Sequence, residues 1–210
     1  MILITGGSGL LGQELRKYIK CDAPTSKELD ITKPETLKGS YELIIHCAAY
    51  TDVAKAEKEP TECLRVNVMG TLNLLRAFPD TPIVYISSEY AKEPVNFYSY
   101  TKLLAEEVIS AYGMGYEGIS YLIIRTLFKP DVWEWDNAFI DSWTQGDSVS
   151  IIAPLIAKQI KEWDRVHLKE IYVGTGRKRI YDIAIKSKPN VRPSSIKEIK
   201  SVKLPTDYEA

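Results

Sequence analysis

The 210-residue sequence predicts an α/β protein built around a doubly wound parallel sheet. Three observations carry this prediction: short apolar runs recur along the chain, amphipathic stretches separate them, and a glycine-rich turn follows the first run. The apolar runs are continuous rather than alternating, which is typical of parallel strands buried on both faces. These runs occupy residues 2–4, 43–45, 83–86 and 121–124.

Helical spacing appears between the runs. Between the second and third runs, apolar residues recur at intervals of three and four, which predicts an amphipathic helix. These residues are Leu64, Val68, Leu72, Leu75 and Phe78. Leu104, Val108 and Tyr112 repeat the spacing between the third and fourth runs. A further strand near residues 21–24 is only weakly indicated, because Pro24 and polar residues follow at once.

The pattern changes after residue 129. We expect a loop at 131–136, a short helix at 137–145, a strand at 148–152, and a helix that starts at Pro154 and ends near Trp163. A last strand is expected at 170–173, and residues 187–210 are only marginally patterned. This predicts a core at 1–129 and a small, reduced C-terminal lobe at 130–210, with elements that return to the core.

Composition excludes several classes of protein. The chain has 27 Lys and Arg against 28 Asp and Glu, so it lacks the basic excess of a nucleic-acid binder. No apolar run approaches the roughly 20 residues that span a membrane, and the first strand follows Met1 directly, so we expect a cytoplasmic protein. The three cysteines and two histidines are not spaced like metal ligands, so no metal is expected.

The glycine-rich turn indicates a dinucleotide site. Gly6, Gly9 and Gly12 follow the first strand and open a helix. In such turns the first glycine permits the bend, the second lets a pyrophosphate approach the backbone, and the third lets helix and strand pack closely. The helix N-terminus adds unpaired N–H groups and the positive end of a dipole. We therefore expect a Rossmann fold that binds a dinucleotide.

A second motif indicates proton-transfer chemistry. Tyr98 and Lys102 are four residues apart and share one helix face, whereas Tyr100 points elsewhere. An ammonium beside a phenol lowers the phenol pKa, so we expect Tyr98 to donate a proton near neutral pH. Ser87 and Ser88 follow the third apolar run, at the carboxyl end of a strand, where doubly wound sheets bind ligands.

Further segments resemble those of a known family. They are Leu-Asp-Ile-Thr at 29–32, His-Cys-Ala-Ala-Tyr-Thr at 46–51, Lys-Ala-Glu at 55–57, Asn-Val-Met-Gly-Thr-Leu-Asn-Leu at 67–74, Ile-Arg-Thr at 124–126 and Arg-Pro-Ser-Ser at 192–195. With the two motifs above, the sequence resembles the dTDP-4-dehydrorhamnose reductase group of the extended short-chain dehydrogenases/reductases. The resemblance is dense over residues 1–129 and thin beyond them.

The resemblance implies an NAD(P)H-dependent reduction of a 4-keto-deoxysugar nucleotide. Ser88 would bind the carbonyl oxygen, Tyr98 would protonate it, Lys102 would hold the nicotinamide ribose, and Asn67 would support the site. Substrate contacts are expected from Glu89, Thr126 and Arg192. The expected cofactor contacts are Gly6, Ser8, Gly9, Leu10, Leu11, Gly12, Ser26, Lys27, Asp30, Ile31, Ala48, Ala49, Tyr50, Ser87, Tyr98 and Lys102.

The sequence favours NADP(H), with NAD(H) possible. The second strand is expected to end near Ser26 and Lys27, which offer a hydroxyl and a cation to a 2′-phosphate and include no acid. If the strand ends earlier, Asp22 becomes the acid that holds a ribose 2′-hydroxyl, and the preference reverses.

Departures from the family pattern all concern the substrate side. Ala54 stands where the family has Asp, Leu127 and Phe128 replace a Ser-Trp pair whose Trp lies by the sugar, and the loop at 89–97 is short. Two alternatives therefore stay open. One is another nucleotide-sugar epimerase or reductase, and the other is a catalytically silent NADP-binding regulatory subunit. A homodimer is also possible.

Overall fold

The computed structural model describes residues 1–115 and 118–206, and the last four residues of the predicted C-terminal stretch lie outside them. Its strands are β1 (Ile2–Thr5), β2 (Cys21–Asp22), β3 (Leu43–His46), β4 (Ile83–Ile86), β5 (Tyr121–Arg125), β6 (Phe128–Lys129), β7 (Asn137–Phe139), β8 (Trp143–Thr144), β9 (Asp147–Ser148), β10 (Lys169–Tyr172), β11 (Lys178–Arg179) and β12 (Arg192–Ser194). Its α-helices are α1 (Leu10–Leu15), α2 (Val53–Ala56), α3 (Pro60–Leu64), α4 (Gly70–Ala77), α5 (Phe97–Met114), α6 (Val149–Glu162) and α7 (Ile180–Ser187).

Six parallel strands form the central sheet in the order β2-β1-β3-β4-β5-β10. The chain runs outward from β1 in both directions, so the doubly wound class predicted from the sequence is confirmed. Both faces of the sheet are covered, which explains the continuous apolar runs. Leu3 and Ile44 belong to the core on the side of α4 and α5, and their neighbours Ile4 and Ile45 belong to the core on the side of α1 and α6.

The amphipathic helices exist, and Leu75 and Phe78 are buried as predicted, but other predicted positions are not. Leu64 and Leu104 are 37% and 46% exposed, and the buried positions are Thr71 with Leu75 on α4 and Ile109 on α5. A π-helical turn at Arg65–Met69 joins α3 to α4. Because a π turn adds a residue to the helical repeat, it breaks the phase that connects Leu64 to the later apolar residues.

The expectations for residues 137–152 are wrong. The predicted helix at 137–145 is replaced by β7 and β8, which pair with β12 and β11 from much later in the chain. The predicted strand at 148–152 is helical from Val149, so Pro154 lies inside α6 rather than in its first turn. Pro154 removes one helical hydrogen bond, to the carbonyl of Ser150, and this cost is modest because Ser150 is exposed to water.

Two elements from the C-terminal part complete the core. α6 packs on α1, and β10 extends the sheet beside β5 with Tyr172 opposite Arg125. A separate apolar cluster forms the small lobe, around Leu127, Trp133 and Ile180. Among residues 1–115 and 118–206, no helix combines the length and the apolar character needed to cross a membrane.

Candidate active site

The glycine turn has the close packing that its motif predicts. Gly6 has a φ of +68°, and its carbonyl oxygen accepts a hydrogen bond of 2.9 Å from the N–H of Gly9. A Cβ on Gly6 would lie 2.6 Å from the Ala48 nitrogen, and one on Gly12 would lie 2.3 Å from the Gly6 oxygen. Gly9 is exposed, and its Cβ would meet only the Gly6 oxygen, at 3.2 Å. Gly6 and Gly12 are therefore required by the fold, and Gly9 leaves the turn open toward a ligand.

A cavity of about 250 Å³ continues from this turn. Among the expected cofactor residues it is lined by Gly6, Ser26, Asp30, Ile31, Ala48 and Ala49. Arg65 also lines it, although the sequence did not single out this residue, and its guanidinium makes a bidentate pair with Glu62 at 2.7 Å. Lys27 does not line the cavity. The second strand, β2, ends at Asp22 and not near Ser26 and Lys27, so that expectation is wrong. Asp22 nevertheless lies outside the cavity, and it accepts a hydrogen bond of 3.0 Å from the Tyr41 hydroxyl.

The other expected cofactor residues lie around the turn in different environments. Ser8 and Leu10 are exposed at the start of α1, whereas Leu11 is buried in the apolar core and offers only its backbone to a ligand. Asn67 fixes the backbone of Tyr50, because the Tyr50 N–H donates to the Asn67 side-chain oxygen at 2.7 Å. The Tyr50 hydroxyl donates to Glu59 at 2.9 Å, away from both cavities.

A larger cavity of about 460 Å³ lies beyond the carboxyl ends of β3, β4 and β5. It brings together Ser87, Ser88, Tyr98, Lys102 and Thr126 from three separate parts of the chain. Ala49 lines both cavities, so a single extended ligand can occupy the two. This is the edge of a doubly wound sheet at which ligands bind.

Tyr98 and Ser88 both line the large cavity, and the Ser88 hydroxyl is near enough to the phenol to influence its pKa. The asparagine cap of α5 fixes the start of the helix that carries Tyr98, because the Asn96 side chain accepts from the N–H of Ser99 at 2.9 Å. Burial raises the pKa of Tyr98 to about 12, and the Ser88 hydroxyl opposes that rise. Tyr98 therefore holds its proton at neutral pH, as a proton donor must.

Lys102 does not lower the pKa of Tyr98 in this structure, so that expectation is wrong. The ammonium donates to the carbonyl oxygen of Ile86 at 2.8 Å and lies over the ring of Tyr85. Burial lowers the pKa of Lys102 to about 7, and the nearby Glu106 carboxylate opposes this shift. For Tyr98, burial outweighs any effect of the lysine, because no carboxylate or ammonium touches the phenol.

Asn67 connects the backbone of Tyr50 to α5, the helix that carries Tyr98 and Lys102. It lies in the π-helical turn, is almost fully buried, and bonds to both the N–H and the C=O of Tyr50, at 2.7 and 3.2 Å. Its amide also donates to the Thr101 hydroxyl on α5 at 2.9 Å. Asn67 lines neither cavity, so it is a positioning residue. The polar partners expected for a buried asparagine are present.

A buried ionic group beneath the cavity was not anticipated. Glu106 accepts hydrogen bonds from Ser87 and from the guanidinium of Arg125, whose Nη2 lies 2.5 Å away. Arg125 also lies 3.5 Å from a carboxylate oxygen of Glu170 on β10. The signal was present in the sequence, because Glu106 follows Lys102 by four residues and therefore shares its helix face.

The three expected substrate residues occupy different places. Thr126 lines the large cavity, and its hydroxyl donates to the carbonyl of Val173 at 2.8 Å. Glu89 is fully buried outside the cavity lining, where it accepts from the hydroxyl of Tyr172 and the N–H of Gln145. Arg192 is exposed on β12 and lies outside the lining as well. Glu89 and Arg192 therefore do not face the cavity as expected.

Two tryptophans of the loop predicted at 131–136 form part of the wall of the large cavity. Trp133 and Trp135 line the cavity, and their ring centroids are 4.7 Å apart in an edge-to-face arrangement. Lys129 lines it too, with its Nζ 5.6 Å from the centroid of the Trp135 ring. The two tryptophans in a three-residue span were the signal available in the sequence.

The C-terminal segment closes one side of the same cavity. Ile199 and Leu204 line it, and the backbone between them is held by the catalytic helix. The Asn96 side-chain amide donates to the carbonyl of Lys203 at 3.0 Å. Trp143 donates its backbone N–H to the carbonyl of Thr206 at 2.9 Å. Within the described residues, no group of three or more His, Cys, Asp or Glu side chains is arranged to hold a metal ion.

Comparisons with known proteins agree with this geometry. The chain is 33% identical over 135 residues to a dTDP-4-dehydrorhamnose reductase of Mycolicibacterium smegmatis, covering 52% of this chain and 41% of the relative. It is 30% identical over 155 residues to a GDP-6-deoxy-D-mannose reductase of Pseudomonas aeruginosa, covering 59% of this chain and 50% of the relative. The chain thus spans about half the length of the curated relatives it matches.

Solved structures show the same fold. A dTDP-4-dehydrorhamnose reductase of Bacillus anthracis in complex with NADP superposes with a TM-score of 0.82 at 23% identity, over 98% of this chain and 88% of that one. The family described as RmlD substrate binding domain matches residues 1–129, which is more than half of the chain. The chain therefore belongs to the RmlD substrate binding domain family of extended short-chain dehydrogenases/reductases.

Proposed function

We propose that the protein reduces the 4-keto group of a nucleotide-linked deoxysugar, with NADPH as the hydride donor. The observation that carries this proposal is that Ser88, Tyr98 and Lys102 line one cavity, which shares Ala49 with the smaller cavity beside the glycine turn. Neutral Tyr98 is the acid that such a reduction needs. The relatives named above are reductases of nucleotide sugars.

The residues around both cavities fit a dinucleotide. Gly6 and Gly12 are packed too closely to carry a side chain, and Gly9 presents an open backbone at the start of α1. When bound, the nicotinamide supplies the hydride that the carbonyl carbon accepts. In this proposal Ala48, Ala49 and the Tyr50 backbone, held by Asn67, border the path between the two cavities.

The proton steps belong to residues of the chain. The Ser88 hydroxyl donates to the substrate carbonyl oxygen, and Tyr98 transfers its phenolic proton to that oxygen as negative charge develops there. Tyr98 then recovers a proton from solvent. Lys102 is fixed by its hydrogen bond to the Ile86 carbonyl and lines the same cavity, and in this proposal it binds the nicotinamide ribose.

NADPH is the preferred cofactor in this proposal, and NADH is the weaker alternative. Asp22, the residue that would favour NADH, is occupied by Tyr41 and lies outside the smaller cavity. Ser26 and Arg65 border that cavity, and Arg65 would bind a 2′-phosphate by exchanging its bidentate contact with the partly exposed Glu62 for the phosphate. Lys27, the residue first expected to do so, does not reach it.

We also propose a division of labour along the chain. Residues 1–129 hold the cofactor and the catalytic groups, and the part after residue 130 supplies much of the substrate wall. That second part is not a separate unit, because α6 and β10 are packed into the central core.

A reductase assay tests the proposal directly. The protein is incubated with NADPH and 4-keto-6-deoxy sugars linked to dTDP, GDP or UDP. We expect one hydroxyl product per NADPH oxidised with at least one of them. Tight NADPH binding without turnover of any of these would favour the silent regulatory subunit, for which the exclusion of Glu89 and Arg192 from the cavity is the supporting observation.

A homodimer is proposed from one exposed face. Tyr100 and Leu104 lie one turn apart on the outer side of α5 and are 52% and 46% exposed, and Leu64 and Met69 are exposed on the neighbouring helical segment. A second copy of the chain would cover such an apolar face. Analytical ultracentrifugation of the wild type and of Leu104→Glu tests this, and a monomeric wild type would refute it.

A further inference from the structure

The wall of the large cavity contains a cation and a half-exposed aromatic ring that the mechanism above does not use. Lys129 occupies the second position of β6, and its backbone is fixed because it pairs with Ser148 of β9. Its Nζ lies 5.6 Å from the centroid of the Trp135 ring. These two residues can contact a part of the substrate that the catalytic groups do not bind. The inference that follows rests on the proposed function.

The ammonium of Lys129 is not neutralised by a carboxylate in the described part of the chain. Among residues 1–115 and 118–206, no carboxylate lies within 4.0 Å of its ammonium, so it forms no ion pair there. Burial lowers its pKa, and the more distant carboxylate of Glu89 opposes that shift. Lys129 is half-buried in the cavity wall, so an anion bound in the cavity can pair with its ammonium.

Of the two cationic side chains in the cavity lining, Lys129 is the one available to bind a substrate. Among the described residues that line the cavity, only Lys102 and Lys129 carry a positive side chain, and no arginine is present. Lys102 is committed to the carbonyl of Ile86 and the ring of Tyr85. An anionic group that enters the cavity beside the sugar therefore has one ammonium available to it.

Trp135 offers a flat surface next to this charge. Its side chain is 46% exposed, whereas Trp133 behind it is almost fully buried. Trp133 is held rigidly, because its indole N–H donates to the carbonyl of Asn137 at 3.1 Å and its backbone N–H donates to Ser187 at 3.0 Å. The edge-to-face contact between the two indoles orients Trp135 and leaves part of its ring open.

We propose that Lys129 and Trp135 form a specificity-determining subsite for the nucleoside diphosphate part of the substrate. Lys129 pairs with the phosphate nearest the sugar, and the open face of Trp135 stacks on the nucleobase. Trp133 is the positioning residue of this subsite. The loop at 131–136 thereby adds indole surface to the cavity that Leu127 and Phe128 also line.

Isothermal titration calorimetry with NADP⁺ present at saturation tests the subsite. The probes are dTDP, UDP, GDP and inorganic pyrophosphate. We expect Lys129→Met to weaken the tightest nucleoside diphosphate by about tenfold or more, as for the loss of a charge-assisted hydrogen bond, and Lys129→Arg to stay within a few-fold of wild type. Trp135→Ala should weaken the same nucleoside diphosphate and leave the affinity for pyrophosphate unchanged.

The matched control is Lys161→Met, which removes an exposed lysine on the outer side of α6 and should leave every affinity unchanged. Thermal melting of each variant shows whether it is folded. The proposal is overturned if folded Lys129→Met binds the nucleoside diphosphates as tightly as wild type, or if wild type binds none of them. The reductase assay is a separate readout: turnover with an unchanged KM in Lys129→Met refutes the subsite alone, and Lys129-dependent binding without any turnover refutes the reductase function alone.

Discussion

The ammonium nitrogen of Lys102 lies 4.1 Å from the centroid of the Tyr85 ring. The ring face and the Ile86 carbonyl together replace the water that a buried ammonium loses. The Tyr85 hydroxyl takes no part in this, because it is buried and has no hydrogen-bond partner among residues 1–115 and 118–206. The ring of Tyr85 therefore stabilises the ammonium of Lys102, whereas the unpaired hydroxyl of Tyr85 lowers the stability of the folded state.

Tyr85→Phe should leave stability unchanged or raise it by about 1 kcal/mol, because the substitution keeps the ring and removes an unpaired buried hydroxyl. Urea denaturation of both proteins measures this. Tyr85→Leu is the matched comparison, since it removes the ring beneath Lys102 and should destabilise the fold. A destabilised Tyr85→Phe would mean that the hydroxyl has a partner in solution.

Stability should rise with pH from about 7 to about 10 through Lys102. Burial holds the pKa of Lys102 near 7 in the folded chain, against 10.5 for a free lysine. Between these values the unfolded chain binds more protons than the folded one, and stability then increases with pH. Denaturation of wild type and Lys102→Met at several pH values isolates this contribution. A difference between the two proteins that does not change with pH would contradict the prediction.

Tyr98, rather than Tyr100, should be essential for turnover. Tyr98→Phe removes the proton donor and is expected to lower kcat by about 10²-fold or more. Tyr100→Phe changes a half-exposed ring outside the cavity and should have a small effect. Steady-state kinetics of the two variants with equal NADPH decides the assignment, and the reverse pattern would overturn it.

Gly9→Val should lose cofactor affinity while the protein stays folded. A Cβ at this position approaches only the Gly6 oxygen, at 3.2 Å, but it projects where a pyrophosphate would meet the backbone. Gly12→Ala is expected to be destabilised instead, because its Cβ would lie 2.3 Å from the same oxygen. Calorimetry with NADPH and thermal melting separate the two effects. Wild-type affinity in a folded Gly9→Val would place the cofactor elsewhere.

Cofactor preference should depend on Arg65 and not on Lys27. Arg65 lines the smaller cavity, so Arg65→Leu should weaken NADPH by about tenfold and change NADH little. Lys27→Ala is the control, because Lys27 is exposed and outside the cavity. Dissociation constants of both cofactors for the three proteins measure the effect. Equal losses for NADPH and NADH would show that Arg65 does not read the phosphate.

The part of the fold governed by local patterns was predictable. The continuous runs around Ile4, Ile45 and Ile124 identify parallel strands because their two faces both meet helices. The glycine turn and the Tyr98–Lys102 spacing identify the site because backbone approach and helix periodicity are local properties of the chain. The family resemblance then follows from the same residues.

Features that depend on distant pairing were not predictable. The segment at 137–145 has no decisive pattern of its own and becomes β7 and β8 through partners about 35–55 residues later. Arg65 could not be assigned to the smaller cavity because a π-helical turn sets its direction. The pKa of Tyr98 depends on burial, and burial is not visible in the spacing of two residues.

The bond between Asn96 and Lys203 joins residues 107 positions apart and sets an order of assembly during translation. A ribosome that adds about 5–20 residues per second needs roughly 5 to 20 s to make the chain between them. Over that interval the nascent chain already contains Ser88, Tyr98 and Lys102, but the segment of Ile199 and Leu204 that closes their cavity does not yet exist. The catalytic groups are thus synthesised well before the segment that encloses them.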